Sequence, residues 1–116
     1  MSESPLNQRV LRDDTLLVSV GNALDNTNAP ELLSVITEAQ TKGFRFVILN
    51  LDGLQFLSSA GVGAIIGTVE VAREMQGDII LCHLSPGIRH VLDVLDLSDY
   101  LTIAADLQAA EILRDS

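Results

Sequence analysis

The apolar positions of this chain fall into two spacings, one of strands and one of helices. Leu16, Leu17, Val18 and Val20 make a compact apolar run that predicts a strand. A weaker strand precedes it at Val10 and Leu11, and Asp13 and Asp14 mark the turn between the two. Phe46-Val47-Ile48-Leu49 and Ile79 to Cys82 are apolar without alternation, the pattern of central strands covered on both faces. Leu101 to Ile103 predicts a last, short strand.

Helical spacing separates these runs. Leu32, Val35, Ile36 and Ala39 recur at i, i+3, i+4 and i+7. Asn28 is placed to cap that helix, Pro30 lies in its first turn, Glu31 stands at the capping-box distance, and Lys42-Gly43 is a stop signal. Ser58-Ser59 opens a second helix whose inner face is Val62, Ile65, Ile66 and Val69, with Met75 as an extension and Gly77 as its close. Ser85-Pro86 starts a third, with Ile88, Val91, Leu92 and Leu95 on its apolar side. Asp106 caps a fourth that ends near Leu113. Gly21 to Asn28 and Leu51 to Leu57 read as connections. The order β-β-α-β-α-β-α-β-α implies an α/β domain: a mixed, mostly parallel sheet of four or five strands with about four helices as crossovers.

At 116 residues the chain suits one domain, expected over residues 6–116 after a short mobile tail, Met1 to Pro5. Its residues are 47% hydrophobic, with three Phe, one Tyr and no Trp, so the core must be aliphatic. Sixteen acidic residues face seven basic ones, a net charge of −9. Nucleic-acid binding needs a Lys/Arg field and stacking aromatics, and anionic membranes repel an acidic surface, so neither is an expected partner. No apolar run reaches the roughly 18–20 residues of a membrane-spanning helix. Residues 1–7 lack the apolar stretch of a secretory signal, and a lone cysteine, Cys82, makes no internal disulfide. The expected compartment is the cytoplasm.

Candidate chemistry concentrates in Asn50 to Gly67, where a buried strand leads to two serines at a helix start. The first turn of a helix carries unpaired N–H groups and partial positive charge. A serine there serves as an N-cap, and the same groups stabilise a phosphate. Both uses are open to Ser58 and Ser59. Gly61, Gly63 and Gly67 resemble a dinucleotide-binding pattern, but they follow the strand too late, and the next strand ends in Cys82-His83 rather than an acidic residue. Those glycines read instead as small residues that let the helix lie close to the sheet. A serine hydrolase elbow would need glycine where Leu57 stands. Cys82, His83 and His90 lack the spacing of a metal site, so no metal and no cofactor is expected.

Three stretches resemble the STAS domain, and within it the stand-alone bacterial anti-anti-sigma factors. They are Asn22-Ala23-Leu24-Asp25-Asn26-Thr27-Asn28-Ala29-Pro30-Glu31-Leu32, Val47-Ile48-Leu49-Asn50-Leu51-Asp52-Gly53-Leu54 and Phe56-Leu57-Ser58-Ser59-Ala60-Gly61-Val62-Gly63. The resemblance implies an anti-sigma factor antagonist, not an enzyme. It would bind an anti-sigma factor that is also a serine kinase of the histidine-kinase-like ATPase type. Phosphorylation would release it, and a serine phosphatase would reset it. Carried over by position, the phosphorylated serine is Ser59, with Ser58 as rival acceptor, and the loop aspartate is Asp25. The implied partner-binding surface comprises Asp25, Asn26, Thr27, Gln55, Leu57, Ser58, Ser59 and Val62.

The chain departs from that family at three places: Ser58 and Asn50 replace aspartates, and Ala60 replaces a second serine. Loss of two acidic groups should make a phosphate at Ser59 easier to hold. It also leaves room for an unphosphorylated adaptor subunit of a signalling or transport assembly.

Overall fold

A computed structural model describes residues 6–115; the tail expected at residues 1–5 lies outside them. The elements run β1 (Asn7–Arg12), β2 (Thr15–Ser19), β3 (Ala23–Leu24), α1 (Ala29–Thr41), β4 (Phe46–Asn50), β5 (Phe56–Leu57), α2 (Ser59–Glu74), β6 (Asp78–Cys82), α3 (Pro86–Val94), β7 (Thr102–Ala104) and α4 (Leu107–Arg114). The main sheet has the order β1-β2-β4-β6-β7. Only the β1–β2 hairpin is antiparallel; β2, β4, β6 and β7 run parallel, as the alternation of strands and helices requires.

Strands β2, β4 and β6 are buried on both faces, which explains their unbroken apolar runs, while the edge strand β1 is largely exposed. One face carries Leu16, Val18, Val47, Leu49, Ile79 and Leu81 against Leu32 and Ile36 of α1, Ile65 and Val69 of α2, and Ile88 and Leu92 of α3. The other carries Leu17, Ile48, Ile80 and Cys82 against Leu107, Ala109 and Ala110 of α4. Leu17, Ile48 and Ile80 sit side by side across three strands, so α4 covers a single continuous row.

Charged contacts fix α4 to the hairpin. Arg114 donates to Asp14 Oδ1 at 2.5 Å and to Thr15 Oγ1 at 3.0 Å, and its guanidinium lies 4.6 Å from the Phe46 ring centroid. Arg12 makes a fork to both carboxylate oxygens of Asp115, at 2.7 and 3.2 Å.

Several local expectations are corrected. The connections at Gly21 to Asn28 and Leu51 to Leu57 each contain a two-residue strand, β3 and β5, which pair in parallel as a separate small sheet. Two residues are too short for any periodicity to register. Leu95 is half exposed rather than on the buried side of α3, because the helix ends at Val94. Gly77 does follow α2, but the left-handed residue there is Gln76, with φ 64°. A Cβ on Gly77 would lie 1.8 Å from the Arg45 carbonyl oxygen, so close backbone approach is what demands glycine at that position. Among the described residues, no helix is long and apolar enough to cross a membrane.

Candidate functional site

The small β3–β5 sheet assembles the candidate site. Ala23 pairs with Phe56 and Leu24 with Leu57, while the amides of Gln55 and Phe56 donate to the Asn22 carbonyl at 2.8 and 3.3 Å. The Ser58 amide donates to the Leu24 carbonyl at 2.9 Å. Two loops far apart in sequence, one with Asp25, Asn26 and Thr27 and one with Gln55, Leu57, Ser58 and Ser59, thereby become one surface.

Helix α2 begins at this junction, and the two serines divide the work. Ser58 is extended, with φ −90° and ψ 169°, and its Oγ accepts the Gly61 N–H at 3.2 Å. It is the N-cap. Ser59 is the first helical residue and is exposed. Its hydroxyl therefore stands at the positive end of α2 while the cap is supplied by its neighbour.

Gly61 is required for this arrangement. A Cβ there would lie 2.9 Å from Leu24 Cγ and from the Leu24 carbonyl oxygen, and 3.0 Å from Leu57 Cδ1. The first turn of α2 thus rests directly on the β3–β5 pair. Gly63 and Gly67 behave otherwise: a Cβ at either would meet nothing within 4 Å. The expectation that all three glycines serve close packing holds for Gly61 alone. Gly63 instead lines a shallow groove of about 370 Å³ between α1 and α2, together with Asn26, Ala29, Pro30, Leu33, Ala60 and Ala64.

The Asp25 loop is internally bonded. Asp25 Oδ1 accepts from the Thr27 hydroxyl at 2.5 Å and from the Thr27 amide at 2.9 Å. The hydroxyl bond first, then the amide bonds, hold the Asp25 carboxyl below its ordinary range, so it is ionised at neutral pH. Asn28, expected to cap α1, makes no side-chain cap bond. Its amide group turns back, Oδ1 accepting the Asp25 N–H and Nδ2 donating to the Ala23 carbonyl, each at 2.8 Å. Sequence spacing missed Asn28 as part of the site because the same residue type is a common cap.

Val62 is half-buried one turn into α2, and Gln55 is exposed beside β5. Asn50 Oδ1 accepts the Asp52 amide at 3.0 Å, closing the turn after β4. From Asn50 to Ala72 the chain has no Lys or Arg, and the start of α2 contributes the partial positive charge of a helix N-terminus. Cys82 is buried under α4 and its thiol is pushed up to about 11, by burial first and then by Asp106 and Asp52. Among the described residues, no group of three or more His, Cys, Asp or Glu is placed to hold a metal ion.

Comparison with known proteins agrees with this architecture. BtrV of Bordetella bronchiseptica, described as an anti-sigma factor antagonist, is 32% identical over 91 residues, covering 78% of this chain and 76% of that protein. The structure of the anti-sigma factor antagonist SpoIIAA in its unphosphorylated form superposes with a TM-score of 0.82 at 22% identity, covering 96% of this chain and 97% of the other. SpoIIAA of Bacillus in its phosphorylated form superposes with a TM-score of 0.75 at 23% identity, covering 94% and 99%. The STAS domain model matches residues 8–110. With the sheet order, the β3–β5 junction and that match in agreement, the chain belongs to the STAS domain family.

Proposed function

We propose that this protein is an anti-sigma factor antagonist that binds an anti-sigma factor while Ser59 is unmodified and lets go when Ser59 is phosphorylated. One observation carries the reading: Ser59 is an exposed hydroxyl on the first residue of α2, and Ser58, not Ser59, caps the helix. The name borne by BtrV supports the class of function.

The chemistry follows from the site. A kinase partner of the histidine-kinase-like ATPase type transfers the γ-phosphoryl group of ATP to Ser59 Oγ. An O–P bond forms, the bond to the ADP leaving group breaks, and the hydroxyl proton is lost. The product carries roughly −1.5 to −2 charges at neutral pH. The amides of the first turn of α2 stabilise that charge in the free protein. No basic side chain in the surrounding sequence neutralises it, so a water-excluding contact with the partner becomes unfavourable. A serine phosphatase restores the hydroxyl by hydrolysis. The protein's own part is to bind and release, in the cytoplasm where ATP and both partners reside, and it is not an enzyme.

The test is to incubate the protein with its cognate kinase and ATP, map the modified residue, and measure partner affinity for Ser59→Ala and Ser59→Asp. Phosphate on Ser59, with weak binding by Ser59→Asp and retained binding by Ser59→Ala, is the expected result. Phosphate on Ser58 would move the switch by one residue, and phosphate on neither would overturn it. A second reading, an adaptor that is never phosphorylated, is favoured by the replacement of two family aspartates by Ser58 and Asn50. Tight partner binding that Ser59→Asp leaves unchanged would establish that alternative.

A further inference from the structure

Asn28 has the side chain and the position of a helix cap and does not cap. Residues of its type at that position ordinarily bond an amide of the first turn. Here both polar ends of the side chain are spent on the segment before it, with Oδ1 on the Asp25 N–H and Nδ2 on the Ala23 carbonyl. The bonded span is Ala23 to Asp25, which includes the whole of β3 and the aspartate that follows it. Because β3 is held to β5 and the Leu24 carbonyl to the Ser58 amide, the same side chain fixes Asp25 relative to the start of α2.

Asp25 Oδ1 takes both Thr27 bonds. The main-chain amide of Asn28 adds a weaker stabilisation of the same carboxylate. The carboxylate is anionic, half-buried, and aimed by its neighbours rather than free to rotate. An aimed, ionised carboxylate at the edge of this surface suits a cationic or N–H donor group of a partner.

We propose that Asn28 is a positioning residue: it orients the Asp25 carboxylate for a donor group on the partner protein and so contributes to partner affinity through Asp25 alone. This rests on the antagonist function proposed above and adds to it a residue that touches no partner. Two neighbours aid the same end, since Thr27 fixes the rotamer of Asp25 while Asn28 fixes its backbone.

The experiment is a double-mutant cycle on the full chain, with Asp25→Ala, Asn28→Ala and the double variant titrated against the cognate anti-sigma kinase, and melting temperatures taken for all four proteins. Asp25→Ala and Asn28→Ala are each expected to raise Kd by about tenfold, and the double variant by no more than Asp25→Ala alone. Any loss of melting temperature from Asn28→Ala is expected in both backgrounds, because the bond to Ala23 is present in both. A Kd penalty for Asn28→Ala that persists in the Asp25→Ala background overturns the proposal, since the residue would then act through general stability. So does an unchanged Kd for Asn28→Ala alone. If Asp25→Ala itself leaves Kd unchanged, the partner surface drawn above is wrong and this inference falls with it. Asn28→Asp, which keeps the acceptor for the Asp25 N–H but loses the donor to Ala23, guards against misfolding of the alanine variant. Its Kd is expected between those of the wild type and Asn28→Ala, and a Kd as high as that of Asn28→Ala would place the function on the Ala23 bond alone and overturn the assignment to Asp25.

Discussion

The backbone amide of Ser58 donates to the carbonyl of Leu24 at 2.9 Å. One bond thus joins the residue that caps α2 to the residue that precedes Asp25. Asp25 and Ser59 are each one peptide removed from it, so their relative placement is set by backbone pairing rather than by long side chains. Backbone pairing is stiff, so the two groups keep a fixed spacing, as the proposed partner surface requires.

The division between the two serines has a direct energetic signature. Ser58→Ala should destabilise the fold by about 1 kcal/mol, because the Gly61 amide loses its cap. Ser59→Ala should change stability by no more than about 0.5 kcal/mol, since the residue is exposed and alanine favours helix. Denaturant titration of both variants checks the contrast; equal losses would show that the cap is shared.

The three glycines of α2 should separate in the same assay. Gly61→Ala drives a methyl group against Leu24 and Leu57 and should cost about 1–3 kcal/mol. Gly63→Ala and Gly67→Ala place it in open space within a helix and should each stabilise by about 0.5–1 kcal/mol.

Acid should weaken the attachment of α4. Hydrogen bonding from Arg114 first, and then from Arg45 and Thr15, holds the Asp14 carboxyl well below its usual range. A carboxyl depressed on folding stabilises the fold above its unfolded-state value of 3.8, and that contribution is lost progressively as pH falls below it. Asp14→Asn should therefore cost about 1–2 kcal/mol at neutral pH, discounted for partial exposure, and should flatten the fall in stability between about pH 4 and pH 2. Parallel acid slopes for the two proteins would remove Asp14 from this role.

Cys82 should report on the same helix. Its thiol is raised to about 11 and lies beneath α4, so at pH 8 it is protonated and shielded. An aromatic disulfide reagent should modify the native protein at least ~100-fold more slowly than the protein in denaturant. Fast labelling of the native protein would mean that α4 opens readily.

The large elements were legible in the sequence because each has a period of its own. Unbroken runs such as Val47-Ile48-Leu49 announced a sheet covered on both sides, and Leu32, Val35, Ile36 and Ala39 announced a helix on one of those sides. The start of α2 was legible as a pair of serines, but not which of them caps, since that depends on a backbone angle that either residue can adopt. The β3–β5 pair was invisible, because two-residue strands held by long-range pairing leave no local pattern. Asn28 misled for a related reason: capping and clamping use the same amide, and only the fold decides which way it turns.

With the cap on one residue and the outward hydroxyl on the next, the proposed switch would mark this surface and clear it again without rewinding any of the scaffold. Mutations that toughen or soften the fold can accumulate at Ser58, and mutations that retune the signal at position 59, each with little interference from the other. Two adjacent codons thereby offer evolution separate controls for endurance and for communication.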